Sequence, residues 1–321
     1  MGRGSNTAIG TACAVVGATL FGMLGPLARF GAEAGVDGVA FTAWRAAMGI
    51  LFLLVLVAVR RGFRSSMASI RALSPRGRAS LLLAGVMGLT LNASIFTAFG
   101  LIPIALALML FYTYPAGVVV VDVAMGHERI TRSRLAALGL SSLGVVLVLL
   151  GGADAGAGFV VNPLGIVLGF TAAASQVVFV TISRHGYRSV PADAATIANI
   201  GVSLVGATLI ALVVGQGAGL ARPFQSFDPW PILVLAGVVA AGLSSLLFLT
   251  AIRLLGGTRT GILMLLEPVV GAILAGLVLG EGLAPLQLVG GGLVLLGAFV
   301  LQVRSDPDHE PVVEAGASPV A

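Results

Sequence analysis

Residues 38–59 run for twenty-two positions with one charged side chain, Arg45. Nine other stretches of the chain are built in the same way. A helix rises 1.5 Å per residue, so about 20 apolar residues cross the roughly 30 Å hydrocarbon layer of a bilayer. A helix also satisfies its own backbone hydrogen bonds there, which an open strand cannot. The segments are 8–28, 38–59, 79–99, 103–124, 135–151, 163–183, 194–214, 231–252, 257–278 and 285–303. The rest of the composition agrees. Charged residues make up 10% of the 321, hydrophobic ones 58%, and the mean hydropathy is +1.07. One soluble core of this length could not hide so much apolar surface. The expected fold is an all-α integral membrane protein with ten transmembrane helices. Many of the 45 glycines fall inside the apolar runs, where small residues let helices approach closely.

The first segment has some features of a secretory signal: Arg3, an apolar centre, and small residues at Ala32 and Ala34. Its apolar stretch is longer than such signals use, and it has a counterpart later in the chain. It is expected to remain as a helix. Cys13 is the lone cysteine, and His127, His185 and His309 are scattered. This excludes an intrachain disulfide framework and a cysteine-based metal site, and no cofactor is implied.

All 18 basic residues are arginines. With the N-terminus placed inside, fifteen fall on the cytoplasmic side, Arg29 and Arg222 fall outside, and Arg45 lies within a helix. That asymmetry selects cytoplasmic termini in a bacterial cytoplasmic membrane. It explains the basic pI through topology and does not call for nucleic acid. The longest inner loop, 60–78, sets Phe63, Met67, Ile70 and Leu73 at helical spacing among arginines. This suits either a plain basic loop or a helix lying on anionic lipid. Residues 305–321 are polar and acidic, as in disordered tails.

The chain repeats itself. When 98–150 is laid on 251–303 without gaps, Ala98 meets Ala251, Leu101 meets Leu254 and Leu110 meets Leu263. In the same register Pro115 meets Pro268, Glu128 meets Glu281, Gly139 meets Gly292 and Gly144 meets Gly297. Upstream the offset drifts by a residue or two. Gly10, Ala18, Arg29 and Gly31 then meet Gly165, Ala173, Arg184 and Gly186, and Thr42 meets Thr196, which sets Arg45 opposite Asn199. Five helices therefore repeat as five, giving units 1–151 and 152–304. Five is odd, so the second unit enters the membrane from the opposite side. Such inverted repeats hold their binding sites near the midplane, between the halves.

The stretch Ala98–Pro115, with Pro103, Ala105 and Leu106, resembles the signature of EamA-type transporters in the drug/metabolite transporter superfamily. So does Ala251–Pro268, with Glu267-Pro268 and the following Gly280-Glu281. The resemblance covers about 8–303 and lies in both halves. It implies ten helices around a central cavity lined by the first, third, fourth, sixth, eighth and ninth. It further implies transport of amino acids, related metabolites or drugs, often outward. The halves differ, however: Tyr114-Pro115 stands where the second half has Glu267-Pro268.

Ionisable groups in hydrocarbon are costly and default to functional candidates. Glu267 falls near the middle of the ninth segment, where it could carry a coupling proton, meet a substrate amine, or simply bond a neighbouring helix. Tyr114 is its repeat equivalent and could hold the carboxylate. Arg45 could bind a carboxylate or pair with Glu267 or Asp37. The more ordinary reading is an arginine that snorkels to the interface and locks packing. Asp122, near the cytoplasmic end of the fourth helix and close to Arg129, is expected to be a structural pair or an interfacial charge. Asn92 and Phe96 share a face of the third helix with Phe99. With Tyr112, Ser244, and the repeat equivalents Phe21 and Gln176, they could line an apolar cavity with a few polar anchors for a small-molecule substrate.

The chain carries no GxxxxGK[ST] and no G-x-S-x-G pattern, so neither primary ATP-driven transport within the chain nor an ATPase partner is implied. The reading is a secondary transporter, not an enzyme, working by alternating access and expected to export amino acids or related metabolites. A lipid-modifying membrane enzyme would need clustered charged or metal-binding residues at an interface. A sensor or scaffold would need long loops or a soluble domain. The topology is tested by reporter fusions: those after Arg64 and Arg304 should report cytoplasm, and those near Asp154 and Glu281 the outside. A cytoplasmic report at Asp154 would break the inverted repeat.

Overall fold

The structure is a computed structural model that describes residues 3–36, 38–59, 68–99, 101–102, 104–126, 131–151, 162–215, 217–279 and 284–303. It is helical throughout, with no strand among the described residues. The helices are α1 (Arg3–Gly22), α2 (Leu24–Glu33), α3 (Gly38–Val59), α4 (Pro75–Phe99), α5 (Ile104–Phe111), α6 (Tyr114–Ala124), α7 (Arg132–Gly151) and α8 (Pro163–His185). They continue as α9 (Ala192–Val213), α10 (Gly217–Gln225), α11 (Pro229–Gly237), α12 (Ser244–Leu255), α13 (Gly257–Met264), α14 (Glu267–Leu279) and α15 (Pro285–Val303). A six-residue π turn, Val238–Leu243, joins α11 to α12.

Eight of the expected spans are long and apolar enough to cross a membrane, and α15 is a shorter apolar helix. The ninth segment differs from expectation, because it is two pieces, α13 and α14, each short of a span by itself. The physical reason is Pro268. Without an N–H it leaves the Met264 carbonyl unbonded in the helical ladder. The ladder tightens just before it, with Leu265 and Leu266 donating three residues back to Ile262 and Leu263, both at 3.2 Å. It resumes where Val270 donates to Leu266 at 3.0 Å.

Pro115 produces the same break in the first half. Thr113 donates to Leu110 at 3.3 Å, and Gly117 then donates to Thr113 at 3.2 Å. These bonds fall at the positions that the repeat register pairs, so the register read from the sequence is also a register of backbone geometry. The first segment breaks as well, at Met23 ahead of Pro26, while its mate α8 runs unbroken.

The packing has the symmetry of the repeat. Helix α1 lies on α12 and α4 on α8; α3 lies on α9, α7 on α15, and α6 on α13. Exchanging the two halves maps the α1–α12 pairing onto α8–α4 and returns α3–α9 and α7–α15 to themselves. Gly10 of α1 lies against Leu254 and Leu255, so α1 begins at the end of the bundle where α8 finishes with Arg184 against Gly256. That end is rich in arginine. At the other end the indole nitrogens of Trp44 and Trp230 donate to the carbonyls of Leu220 (3.1 Å) and Pro223 (2.8 Å), fixing α10 across the bundle.

Two helix starts use a polar cap followed by proline. The Ser74 hydroxyl accepts from Gly77 at 3.1 Å ahead of α4, and the Asn162 carbonyl oxygen accepts from Leu164 at 2.9 Å ahead of α8. Of the basic segment 60–78, residues 60–67 lie outside the described residues, as do Asp37, Arg129, Asp154, Glu281 and the tail from 304. The described part turns inward: Ile70 and Leu73 pack with Leu81, Tyr187 and Val190.

Glycine sets a close backbone contact between α7 and α15. A Cβ on Gly144 of α7 would stand 2.5 Å from the Gly290 carbonyl oxygen of α15, whereas one on Gly139 would meet nothing within 4 Å. Backbone cannot yield as a side-chain tip can, so Gly144→Ala should destabilise by about 1–3 kcal/mol through overpacking. Gly139→Ala should be neutral or slightly stabilising. Thermal unfolding of both variants in detergent checks the pair.

Candidate functional site

The two proline breaks face one another across the bundle, since α6 packs on α13. Glu267 is the first residue of α14, at the partially positive start of a half-helix. It lies ten residues beyond the first residue of α13, or about 15 Å along the axis, near the middle of a roughly 30 Å hydrocarbon layer. Its side chain is half-buried. Tyr112, Tyr114 and the Arg45 guanidinium are its electrostatic neighbours.

Tyr112 thus joins Tyr114 as a candidate to hold the carboxyl group. Tyr112 belongs to the turn that Pro115 unwinds, and Tyr114 is the first residue of the following helix. Tyr114 is enclosed at 2% exposure. The Phe111 ring lies 5.2 Å from the rings of both tyrosines, which fixes their orientation.

Arg45 does not snorkel. It is 8% exposed and turns into the bundle, where a terminal guanidinium nitrogen donates to the Asn92 carbonyl oxygen at 2.7 Å. The guanidinium also lies 6.0 Å from the centre of the Phe96 ring. Asn92 in turn donates to the Gly88 carbonyl at 2.7 Å. The reason lies in the neighbouring backbone: Gly237 brings α11 against Met48 and the Arg45 carbonyl, and Gly242 of the π turn lies on Gly49. These close crossings draw the centre of α3 inward. Arg45, Asn92 and Phe96 therefore form one charged and aromatic unit, with Glu267 in its field.

Phe21 makes an edge contact with Phe248, and Phe179 stacks on Phe248, each pair with centroids 6.3 Å apart. All three rings belong to the apolar cluster that contains Tyr112, Tyr114 and Leu265. Gln176 is buried on α8, one residue before Val177, which packs on Gly117 of α6. Ser244 is fully enclosed where α12 meets α1.

Sequence reasoning missed Phe111, Phe179 and Phe248. Phe179 is three residues from Gln176, and Phe248 is four from Ser244, so helical spacing could have found both. Sequence reasoning gave Asp122 as a structural pair or an interfacial charge close to Arg129, which lies outside the described residues. That carboxylate pairs with Arg184 at 3.5 Å and accepts from the Thr258 hydroxyl at 3.3 Å, because α6 packs between α8 and α13.

A carboxyl group at a helix break with a guanidinium in reach, walled by aromatic rings, can recognise a small polar molecule. Among the described residues no group of three or more His, Cys, Asp or Glu could hold a metal ion. An apolar groove of about 630 Å³, lined by residues such as Phe227, Trp230 and Val238, lies elsewhere and contains none of the candidate residues.

These features belong to membrane transporters. The EamA-like transporter family model matches residues 8–150 and again 163–303, so the chain belongs to that family and is an integral membrane transporter. A relative from Archaeoglobus fulgidus, described as an uncharacterized transporter, is 26% identical over 208 residues, covering 65% of this chain and 70% of its own length. A solved crystal structure superposes with a TM-score of 0.74 at 22% identity, covering 94% of this chain and 98% of the other, and shares its fold.

The Arg45–Asn92 bond joins α3 to α4. Asn92→Leu should destabilise the protein by roughly 1–3 kcal/mol, because the guanidinium loses its acceptor without regaining water. Asn92→Asp, which keeps an acceptor, should recover most of that loss. Thermal unfolding of the two variants side by side is the measurement.

Proposed function

We propose that this protein is a secondary transporter of small metabolites, and an exporter of amino acids or related compounds. In this reading it spans the bacterial cytoplasmic membrane with ten helices, arranged as two inverted five-helix repeats, 1–151 and 152–304, with both termini cytoplasmic. The observation that carries the proposal is the placement of Glu267. It is a carboxyl group at a helix break, with Tyr112 on the matching break of the other repeat and Arg45 nearby.

The half-helix ends supply backbone dipoles that can meet a polar ligand. Glu267 would take the substrate amine or a coupling proton. Arg45 and Asn92 would take a carboxylate, and Phe21, Phe96 and the tyrosines would give the apolar wall. Gln176 and Ser244 would contribute as the helices rearrange. Alternating access would then rock one repeat against the other around this point, exposing it first to one side and then to the other.

The amino-acid part of the reading is supported by the opposite charges of Glu267 and Arg45, which suit a zwitterion. Transport assays in proteoliposomes across a panel of amino acids and other metabolites test it directly. Glu267→Gln keeps the shape and removes the charge change. It should lower transport by at least about a hundredfold, on the scale of a lost charge-assisted contact, or make transport independent of the pH gradient, while leaving expression and insertion intact. Near-normal transport that keeps its pH dependence would assign Glu267 to packing.

A further inference from the structure

The arginine-rich end of the bundle is closed by an ion pair that crosses between the repeats. Asp122 of α6 is 1% exposed and pairs with Arg184, in the last turn of α8, at 3.5 Å. Thr258, in the first turn of α13, donates to the same carboxylate oxygen at 3.3 Å. Two glycines let the start of α13 lie over the pair. Gly256 has a φ of 85°, and a Cβ there would stand 2.8 Å from the Arg184 guanidinium carbon. A Cβ on Gly257 would stand 3.2 Å from the Asp122 carboxylate. From this pair to Glu267, residues 260–266 are all buried. A second tie lies beside it. Arg253 donates to the Val190 carbonyl at 2.6 Å and sits 5.8 Å from the centre of the Tyr187 ring. The Tyr187 hydroxyl bonds Ser183 at 2.6 Å and Asn199 at 3.3 Å.

The opposite end cannot build the same pair. In the repeat register Asp122 corresponds to Ala275 and Thr258 to Ala105. Only the arginine is kept, as Arg29, and it meets Glu33 one turn along its own helix at 3.6 Å, with both side chains more than half exposed. An exposed pair within one helix contributes little; the repeats are joined at that end by neutral acceptors, with Arg222 donating to the Ala34 carbonyl at 3.1 Å and Trp44 to the Leu220 carbonyl at 3.1 Å. An interaction made in one state and absent from the other shifts the population by its full differential strength. The two ends are therefore closed by different chemistry, and removing the Asp122–Arg184 pair acts on one end alone.

We propose that Asp122 and Arg184 are gating residues, a cytoplasmic latch that holds the resting transporter closed on the inside and that must open before the central site can be reached from the cytoplasm. The proposal rests on the alternating-access reading. It places control of the cycle on the cytoplasmic face, where an exporter must admit its cargo.

The test reads sidedness directly. Cys13, the lone cysteine in the sequence, is replaced by Ser, and Thr260, fully buried between the latch and Glu267, becomes a reporter as Thr260→Cys. A membrane-impermeant maleimide is applied to right-side-out and to inverted vesicles. The double change Asp122→Asn with Arg184→Gln removes both charges and leaves neither one orphaned. It should speed modification from the cytoplasmic face at least about tenfold, within the usual range of a conformational coupling, and leave the rate from the outer face unchanged or lower. Thr258→Val removes only the hydrogen bond and should give a smaller rise on the same face.

An unchanged rate in a double variant that retains its thermal stability would overturn the latch, and so would an equal rise from both faces. Transport is measured on the same samples. Normal transport with no change in sidedness defeats the latch alone. A one-sided rise in a chain that moves no substrate in any form supports the latch and defeats the proposed cargo.

Discussion

A polypeptide in hydrocarbon must satisfy its backbone hydrogen bonds within itself, and the architecture depends on where this chain does so and where it does not. Along most of their length the helices keep the ladder intact. At Pro115 and Pro268 they cannot, and the carbonyls of Phe111 and Met264 lose their helical donors. Two bonds at each break match in the repeat register: Thr113 to Leu110 with Leu266 to Leu263, and Gly117 to Thr113 with Val270 to Leu266. Because α6 packs on α13, the two weakened turns lie together in the interior and not on the lipid face. The polar side chains of the candidate site collect at that point, where the backbone itself supplies unpaired groups.

The charged residues follow from the same constraint. A charge in this interior persists only with partners. Arg45 has Asn92 and the face of Phe96, and Asp122 has Arg184 and Thr258. The two sets differ in what they join. The first links neighbouring helices of one repeat close to Glu267. The second links one repeat to the other at the end of the bundle and buries its carboxylate almost completely. The central set retains partial exposure at Glu267 and Asn92, as a group that meets a ligand must.

Much of this was legible in the sequence. The apolar lengths marked the helices, and the register of Pro115 on Pro268 located both breaks. Glu267 was conspicuous as a carboxylate within an apolar run, and the repeat pointed to the tyrosines opposite it. What could not be read was rotation. Arg45 looked like a snorkelling residue on a peripheral helix. Nothing in its own segment reveals that Gly237 and Gly242 draw α3 inward. Tyr112 and Tyr114 are two residues apart on a turn that is no longer helical, so helical periodicity could not choose between them. Asp122 reads as a structural pair or an interfacial charge, but which helices supply Arg184 and Thr258 to it is set by packing.

The sequence by itself determined which residues enter the membrane, that the chain is built twice, and where the helices must break, because these follow from length, composition and the missing N–H of proline. Only the tertiary structure decided which side chains meet. Those contacts depend on how closely two backbones approach and how each helix is turned about its axis. Both are set by glycines and side chains on other helices, more than a hundred residues away for Arg45 and its α11 neighbours.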